Sequence, residues 1–280
     1  MLQDKASDNL KEYYEGEYRK CHGPKLNLPS SYAEIFESYV HYQTQRVRLL
    51  RPWLNPSMRL LEVGCSTGHF LYNIKGLVGE VVGVDYDSGA AEFAGRTCQC
   101  ASFDCGLDEA GLAPASFDVI CAIQTMEHIE DPISFAVMLG KYLKPKGIAY
   151  IEVPSLLDPL LSVYDNFSYR NFYFHGAHLF YFTPRSLMTV MNRAGFTGEV
   201  YFTQDYNFLN HLHWILVGRP QPTCHDGLSS PKLPIAYEVE PELRKELQAW
   251  VETADNQYKA ILAKYGVTEN ITFIGGLSQT

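Results

Sequence analysis

The chain is short of positive charge: 23 lysines and arginines stand against 32 aspartates and glutamates, a formal net charge of −9 over 280 residues. That balance argues against sequence-independent attraction to nucleic acid or to an anionic lipid surface, and favours a small-molecule partner. No apolar run approaches the roughly 20 residues of a membrane span, and the opening MLQDKASDNLKEYYE carries no apolar core of signal-peptide length. Paired Cys-x-x-Cys modules are missing too. The seven cysteines are an odd, scattered set, Cys21, Cys65, Cys98, Cys100, Cys105, Cys121 and Cys224, which fits a reducing compartment and a cytoplasmic location. Their one close group, CQCASFDC (98–105), has no standard zinc spacing and reads as small apolar residues in and beside a strand. What the sequence does have is apolar bulk. At 46% of residues it is enough to bury a substantial core in one large or two modest domains.

Residues 7–54 read as helical, with Tyr13, Tyr14 and Tyr18 on one face and a second run from Tyr32 to Leu50 that Pro52 and Pro56 end. From Met58 the pattern becomes short β-branched or Leu-rich runs alternating with helical stretches, as in a parallel sheet wrapped by helices. Strands are expected at 59–63, 80–84, 98–102, 117–123 and 147–153, with helices near 67–76, 88–95 and 132–142. Asp131-Pro132 supplies the cap and first residue of the last of these helices. An aromatic-rich insertion fills 155–183, followed by a helix over 184–193 and two strands at 198–204 and 211–217. Beyond Pro220 the composition turns linker-like, and then Leu243, Leu247, Trp250, Ala254, Tyr258, Ile261 and Tyr265 form a stripe at heptad spacing. Packing on its own domain is the first expectation for this stripe, with a homodimer seam as the alternative. The division is therefore 1–57, a helical N-terminal cap; 58–219, the main domain; and 220–280, a linker with a C-terminal helical extension.

The segment LLEVGCSTGHF (60–70) holds the chemistry. Gly64-Cys65-Ser66-Thr67-Gly68 spells G-x-S-x-G, the nucleophile elbow of serine hydrolases, and also fits a glycine-rich cofactor loop. An elbow normally stands on an already built sheet and needs an earlier oxyanion loop. This one would follow the first strand, and nothing upstream resembles an HGGG loop. An acyl hydrolase using Ser66 is thus the minor alternative. A cofactor loop instead predicts a carboxylate at the end of the next strand, about 20 residues on, to hold a ribose, and Asp85 stands there. The dinucleotide form G-x-G-x-x-G is absent, and Glu62, two residues before Gly64, would repel a pyrophosphate while welcoming a cation.

The pattern E-x-G-x-x-x-G, then Asp85, Phe103-Asp104 and MEHIEDP after the fourth strand, resembles the class I S-adenosylmethionine-dependent methyltransferases over residues 58–217. The resemblance implies an α/β doubly wound, Rossmann-like fold with a seven-stranded, mostly parallel sheet and an antiparallel last strand. It also implies S-adenosyl-L-methionine as cofactor. Glu62, Gly64, Cys65, Ser66 and Gly68 would then surround the methionyl part, Asp85 would hold the ribose, Tyr86 would flank the adenine, Phe103 and Asp104 would cover it, and Gln124 would touch the methionyl end.

The insertion, with H-L-x-Y-F-T-P before its helix, is similar to the acceptor-facing segment of sugar- and quinone-modifying methyltransferases. That likeness implies O-methylation of a small hydroxylated metabolite, a sugar or a related natural-product or cell-surface glycan precursor. His178 is the expected general base, with His128 and His175 as further catalytic candidates. Quinone-type relatives hold a metal with E-x-x-E-H; here that stretch is Gln124-Thr125-Met126-Glu127-His128, so no metal is expected. His211 and His213 would share a face of the final strand as packed or solvated imidazoles. The competing class is a non-catalytic S-adenosylmethionine-binding scaffold that recruits a partner through its C-terminal helix. A nucleic-acid methyltransferase is disfavoured by charge and by the lack of an N-P-P-[YF] motif.

Overall fold

The structure is a computed structural model that describes residue 28 and residues 30–278. The tyrosine-faced helix expected before residue 28 lies outside the described residues. Two short helices, α1 (Tyr32–Tyr39) and α2 (Thr44–Leu50), precede the sheet. Ser31 opens α1 with a capping box: its hydroxyl accepts from the Glu34 amide while the Glu34 carboxylate accepts from the Ser31 amide.

Seven strands follow: β1 (Arg59–Val63), β2 (Glu80–Val84), β3 (Ala101–Phe103), β4 (Phe117–Ile123), β5 (Leu143–Pro154), β6 (Phe196–Thr203) and β7 (Asn270–Leu277). They form one sheet in the order β3-β2-β1-β4-β5-β7-β6, parallel from β3 to β5, with β7 antiparallel to both of its neighbours. Helices α3 (His69–Ile74), α4 (Ser88–Cys98) and α5 (Pro132–Tyr142) cross between the parallel strands. After β5 come α6 (Pro159–Ser162), α7 (Phe167–Tyr173) and α8 (Pro184–Arg193); after β6 come α9 (Phe208–Val217), α10 (Cys224–Leu228) and the long α11 (Pro241–Lys264).

Both sheet faces are covered, so the strands are apolar without alternation. Leu60 packs in one core cluster and Leu61 in the other, each fully buried. Burying such a leucine contributes about 1.5–3 kcal/mol. Strand order reverses between β1 and β4, and a doubly wound sheet opens its ligand crevice at the carboxyl ends of the strands flanking that point.

Four sequence expectations are corrected. The strand expected at 98–102 begins only at Ala101: α4 continues to Cys98 because Ala90, Ala91, Ala94 and Cys98 carry its small buried face, and Gln99 then ends it with a left-handed φ of 57°. The strand expected at 211–217 is part of α9. There Asn207 caps the first turn, and Asn210, His211 and Trp214 are buried at helical spacing. His211 and His213 therefore lie on a helix. The sheet's antiparallel strand is instead β7, drawn from the segment read as linker and helical extension; its ITFI is buried between β5 and β6, a short apolar run hidden behind a long helix. Finally, α11 packs through Val251, Asp255 and Leu262, one position off the expected stripe, which leaves Leu243, Trp250, Ile261 and Tyr265 exposed. The Asp255 carboxylate is anchored on this buried face, accepting from the Phe208 amide at 2.8 Å and from Lys259 Nζ at 3.1 Å.

Candidate functional site

At the carboxyl edge of the sheet lies a cavity of about 910 Å³ whose walls come from the β1–α3 loop, the ends of β2, β4 and β5, the insertion and α2. The loop takes its shape from two glycines. Gly64 has φ +77°, and a Cβ there would stand 2.3 Å from Thr125 Oγ1; Gly68 has φ +78°, and a Cβ there would meet Cys98 Sγ at 2.8 Å and Ala94 Cβ at 2.9 Å. The Gly64 and Cys65 amides donate to the Val84 carbonyl, folding the loop over the end of β2. Asp85 is held in turn: Oδ2 accepts from the Ser66 amide at 2.7 Å and Oδ1 from the Asp87 amide at 2.9 Å. The two amides orient the carboxylate at the cavity wall, and a carboxylate can accept bidentately from a vicinal diol.

Glu62 lies beneath the loop, 2% exposed, and its Oε2 accepts no hydrogen bond among the described residues although it borders the cavity. Burial pushes its pKa well above the ordinary carboxylate value, with the Arg46 charge pulling the other way. A ligand cation at this oxygen would satisfy it and return it to the ionised state. The cationic, amine-bearing methionyl end of S-adenosylmethionine fits that requirement, and a pyrophosphate does not.

The predicted cofactor residues divide into three groups. Glu62, Gly64, Ser66, Asp85, Tyr86 and Gln124 line the cavity. Cys65 and Gly68 act behind it, Cys65 buried under β2 and Gly68 letting α3 approach α4. Phe103 packs against the core and Asp104 does not reach the lining, where Cys105, Gly106 and Leu107 stand instead. Ser66 has φ 47°, as a strained elbow would, yet its amide is bound to the Asp85 carboxylate.

Arg46 was missed by the sequence reading, since nothing in a helical cap marks one arginine among several. It enters from α2 and grips Glu152 on β5 with Nη2–Oε1 at 2.6 Å and Nε bonds of 3.0 and 3.1 Å. Gln124 and Tyr150 add donors to the same carboxylate at 3.2 and 3.0 Å. Burial works to raise the Glu152 pKa, but the Arg46 charge and these hydrogen bonds bring it below the ordinary value. Also missed were Asp158, Asp205 and Glu269, which line the same cavity; burial raises all three, Asp158 to about 6.

Two of the predicted catalytic histidines line the same cavity. His128 follows β4 in a 3-10 turn (Met126–His128), and its Nδ1 donates to the Ala177 carbonyl at 2.8 Å. The Leu179 and Phe180 amides donate to the Glu127 carbonyl, so turn and insertion are clamped together. His128 and His178 both line the cavity, their ring centroids 4.9 Å apart, while His175 sits behind His178 at 4.1 Å and does not. Beneath them Glu127 is fully buried, and burial raises its pKa to about 8. Among the described residues, Glu127, His128 and His178 are the one grouping of three potential ligands, with their ligand atoms within 4.8 Å of one another; it includes none of the cysteines of 98–105. His211 lies apart, its Nδ1 at 2.6 Å from the Tyr258 hydroxyl, and does not join His175 and His178. No helix among the described residues is long and apolar enough to cross a membrane.

A family profile described as a methyltransferase domain matches residues 36–199. A Mycobacterium tuberculosis protein named a probable S-adenosylmethionine-dependent methyltransferase is 30% identical over 97 residues, 34% of this chain and 35% of that protein. The chain thus matches about a third of the length of this curated relative. Among solved structures, a SAM-dependent methyltransferase from Archaeoglobus fulgidus shares the fold with a TM-score of 0.54 at 17% identity, covering 86% of this chain and 95% of that one. Phosphoethanolamine N-methyltransferase 2 of Haemonchus contortus, solved with S-adenosyl-L-methionine, aligns with a TM-score of 0.51 at 17% identity, covering 89% of this chain and 58% of that one.

Proposed function

The chain belongs to the class I S-adenosylmethionine-dependent methyltransferases, and we propose that it moves the cofactor's methyl group onto a hydroxyl of a small polyhydroxylated acceptor such as a sugar. The observation that carries this reading is the continuity of one cavity from the Glu62–Asp85 side to the His128–His178 wall. The cofactor supplies a methyl already activated by a sulfonium, so the protein has to align donor and acceptor and help the hydroxyl lose its proton. Asp85 fixes the nucleoside end and Glu62 the cationic end. Between the histidine wall and the carboxylates of Asp158 and Asp205 there is room and hydrogen-bonding capacity for a hydroxyl-rich molecule, with Tyr169 and Tyr173 supplying apolar ring faces. His178, which lines the same cavity, is the general base in this proposal.

The direct test is transfer of labelled methyl from S-adenosylmethionine to a panel of sugars and other hydroxylated metabolites, with His178→Ala measured on any acceptor found. A positioned acid–base group is worth about 10²-fold or more. A loss below tenfold at saturating cofactor would remove His178 from this role, and transfer to amines alone would overturn the hydroxyl reading.

A further inference from the structure

Glu127 is the side chain the proposed chemistry leaves unexplained. It is 0% exposed, and neither carboxylate oxygen has a hydrogen-bond partner among the described residues. An orphaned buried carboxylate is costly, and a native fold normally keeps one only where something else completes it. Its surroundings say what that is. His128 Nε2 stands 3.8 Å from Glu127 Oε1, and a ligand nitrogen of His178 falls within the same 4.8 Å grouping.

The His128 ring is already oriented. A carbonyl can only accept, so the 2.8 Å contact with Ala177 O puts a proton on Nδ1, and in the neutral ring Nε2, 3.8 Å from Glu127 Oε1, is then the nitrogen able to ligate. Metal-ligating histidines are typically held by such an outer hydrogen bond. The segments that carry the ligands are also locked to each other, with the Leu179 and Phe180 amides at 2.8 and 3.1 Å from the Glu127 carbonyl.

From this geometry we infer that Glu127, His128 and His178 form a binding site for one divalent transition-metal ion of the zinc or manganese type, open on its cavity side. Two imidazoles and one carboxylate suit such ions, and three protein ligands leave a position for an oxygen from outside. Bonds of about 2.0–2.2 Å at the angles of a tetrahedral or octahedral ion put ligand atoms roughly 3.0–3.6 Å apart, so loading draws the widest pair together by up to about 1.8 Å, a movement that side-chain rotation supplies. The sequence argued against a metal because Gln124 replaces the first glutamate of E-x-x-E-H; in the fold His178, from the insertion, takes the third place. The site rests on the proposed function only for what fills the open position. There a bound acceptor hydroxyl would be acidified by the ion and lose its proton to solvent; in the metal-loaded protein His178 is then a ligand and no longer the general base.

Titration of the full-length protein with zinc chloride and with manganese chloride, followed by calorimetry and elemental analysis, tests the site. One ion per chain is expected, with affinity lowered at least tenfold in each of Glu127→Gln and His178→Asn. S-adenosylhomocysteine binding, measured on the same samples, is expected to stay within twofold, which separates failure of the metal site from failure of the methyltransferase reading. In the unaltered protein, manganese should broaden the ring resonances of His128 and His178 at lower metal ratios than those of His211, a readout that needs no variant to fold. Absence of stoichiometric binding, binding unchanged in both variants, or broadening centred on other histidines overturns the inference.

Discussion

Removing the Arg46 guanidinium gives a result that can be worked out from the structure. Its partner Glu152 has a side chain only 1% exposed, and Arg46 itself is 13% exposed, so the pair is effectively buried. In Arg46→Met the carboxylate keeps Gln124 and Tyr150 as donors but loses its countercharge and three short bonds. Deleting one partner of a buried pair costs about 3–5 kcal/mol. In a chain of this size that corresponds to roughly a 10 °C fall in melting temperature. The sign of the pH dependence follows. Glu152, depressed below its ordinary pKa in the intact protein, contributes stability above that value, and this is lost as pH falls through the folded pKa. Without Arg46, burial raises the same group, so the variant's deficit grows as pH rises. Removing both charges is expected to be close to neutral, and Arg46→Met with Glu152→Gln should recover more than half of the single-variant loss. Urea unfolding of the ligand-free protein at pH 5 and pH 8 measures all of this. A single-variant cost below about 1 kcal/mol, or a double variant as unstable as the sum of the singles, would refute the buried-pair reasoning.

Three further outcomes are expected. Asp85→Asn, which loses an acceptor for the Ser66 or Asp87 amide, should weaken S-adenosylhomocysteine binding by about 10- to 100-fold in calorimetry, the scale of a charge-assisted hydrogen bond; an unchanged affinity would remove Asp85 from the site. Gly68→Ala forces a Cβ into Cys98 and Ala94 at a left-handed φ and should destabilise by about 2–5 kcal/mol, whereas Gly76→Ala, with nothing within 4 Å, should change little; equal effects would contradict the close approach of α3 to α4. Burial, helped by the Lys259 charge, lowers the His211 pKa from 6.5 to about 4. The unfolded chain therefore binds a proton that the folded protein refuses, and stability should fall by about 3 kcal/mol as pH drops across that window. His211→Gln should lack this component of the acid slope in denaturation curves, and an identical slope would show that His211 is not held neutral.

The parallel part of the sheet was legible because its strands are buried on both faces. RLLEV, EVVGV, FDVICAI and GIAYIEV are nearly continuous apolar runs bounded by turns, and the structure places strands at each. The FLNHLHWILV run was equally apolar but of helical period, and it became α9 because Asn207 caps it and α11 covers it. β7 could not be seen in advance: a short strand gains its meaning only from the two strands that flank it, and those are remote in sequence.

Local sequence by itself marked the glycine loop and the acids Glu62 and Asp85 at their strand ends, because backbone conformations open mainly to glycine and charges at strand ends follow from neighbours within a few residues. Only the tertiary structure decided that Arg46 meets Glu152 across 106 positions, that His178 comes to face Glu127 and His128, and that Phe103 turns into the core. Such pairings depend on which surfaces the sheet and helices bury together. That choice minimises exposed apolar area and unpaired charge over the whole chain at once, and so no single segment carries it.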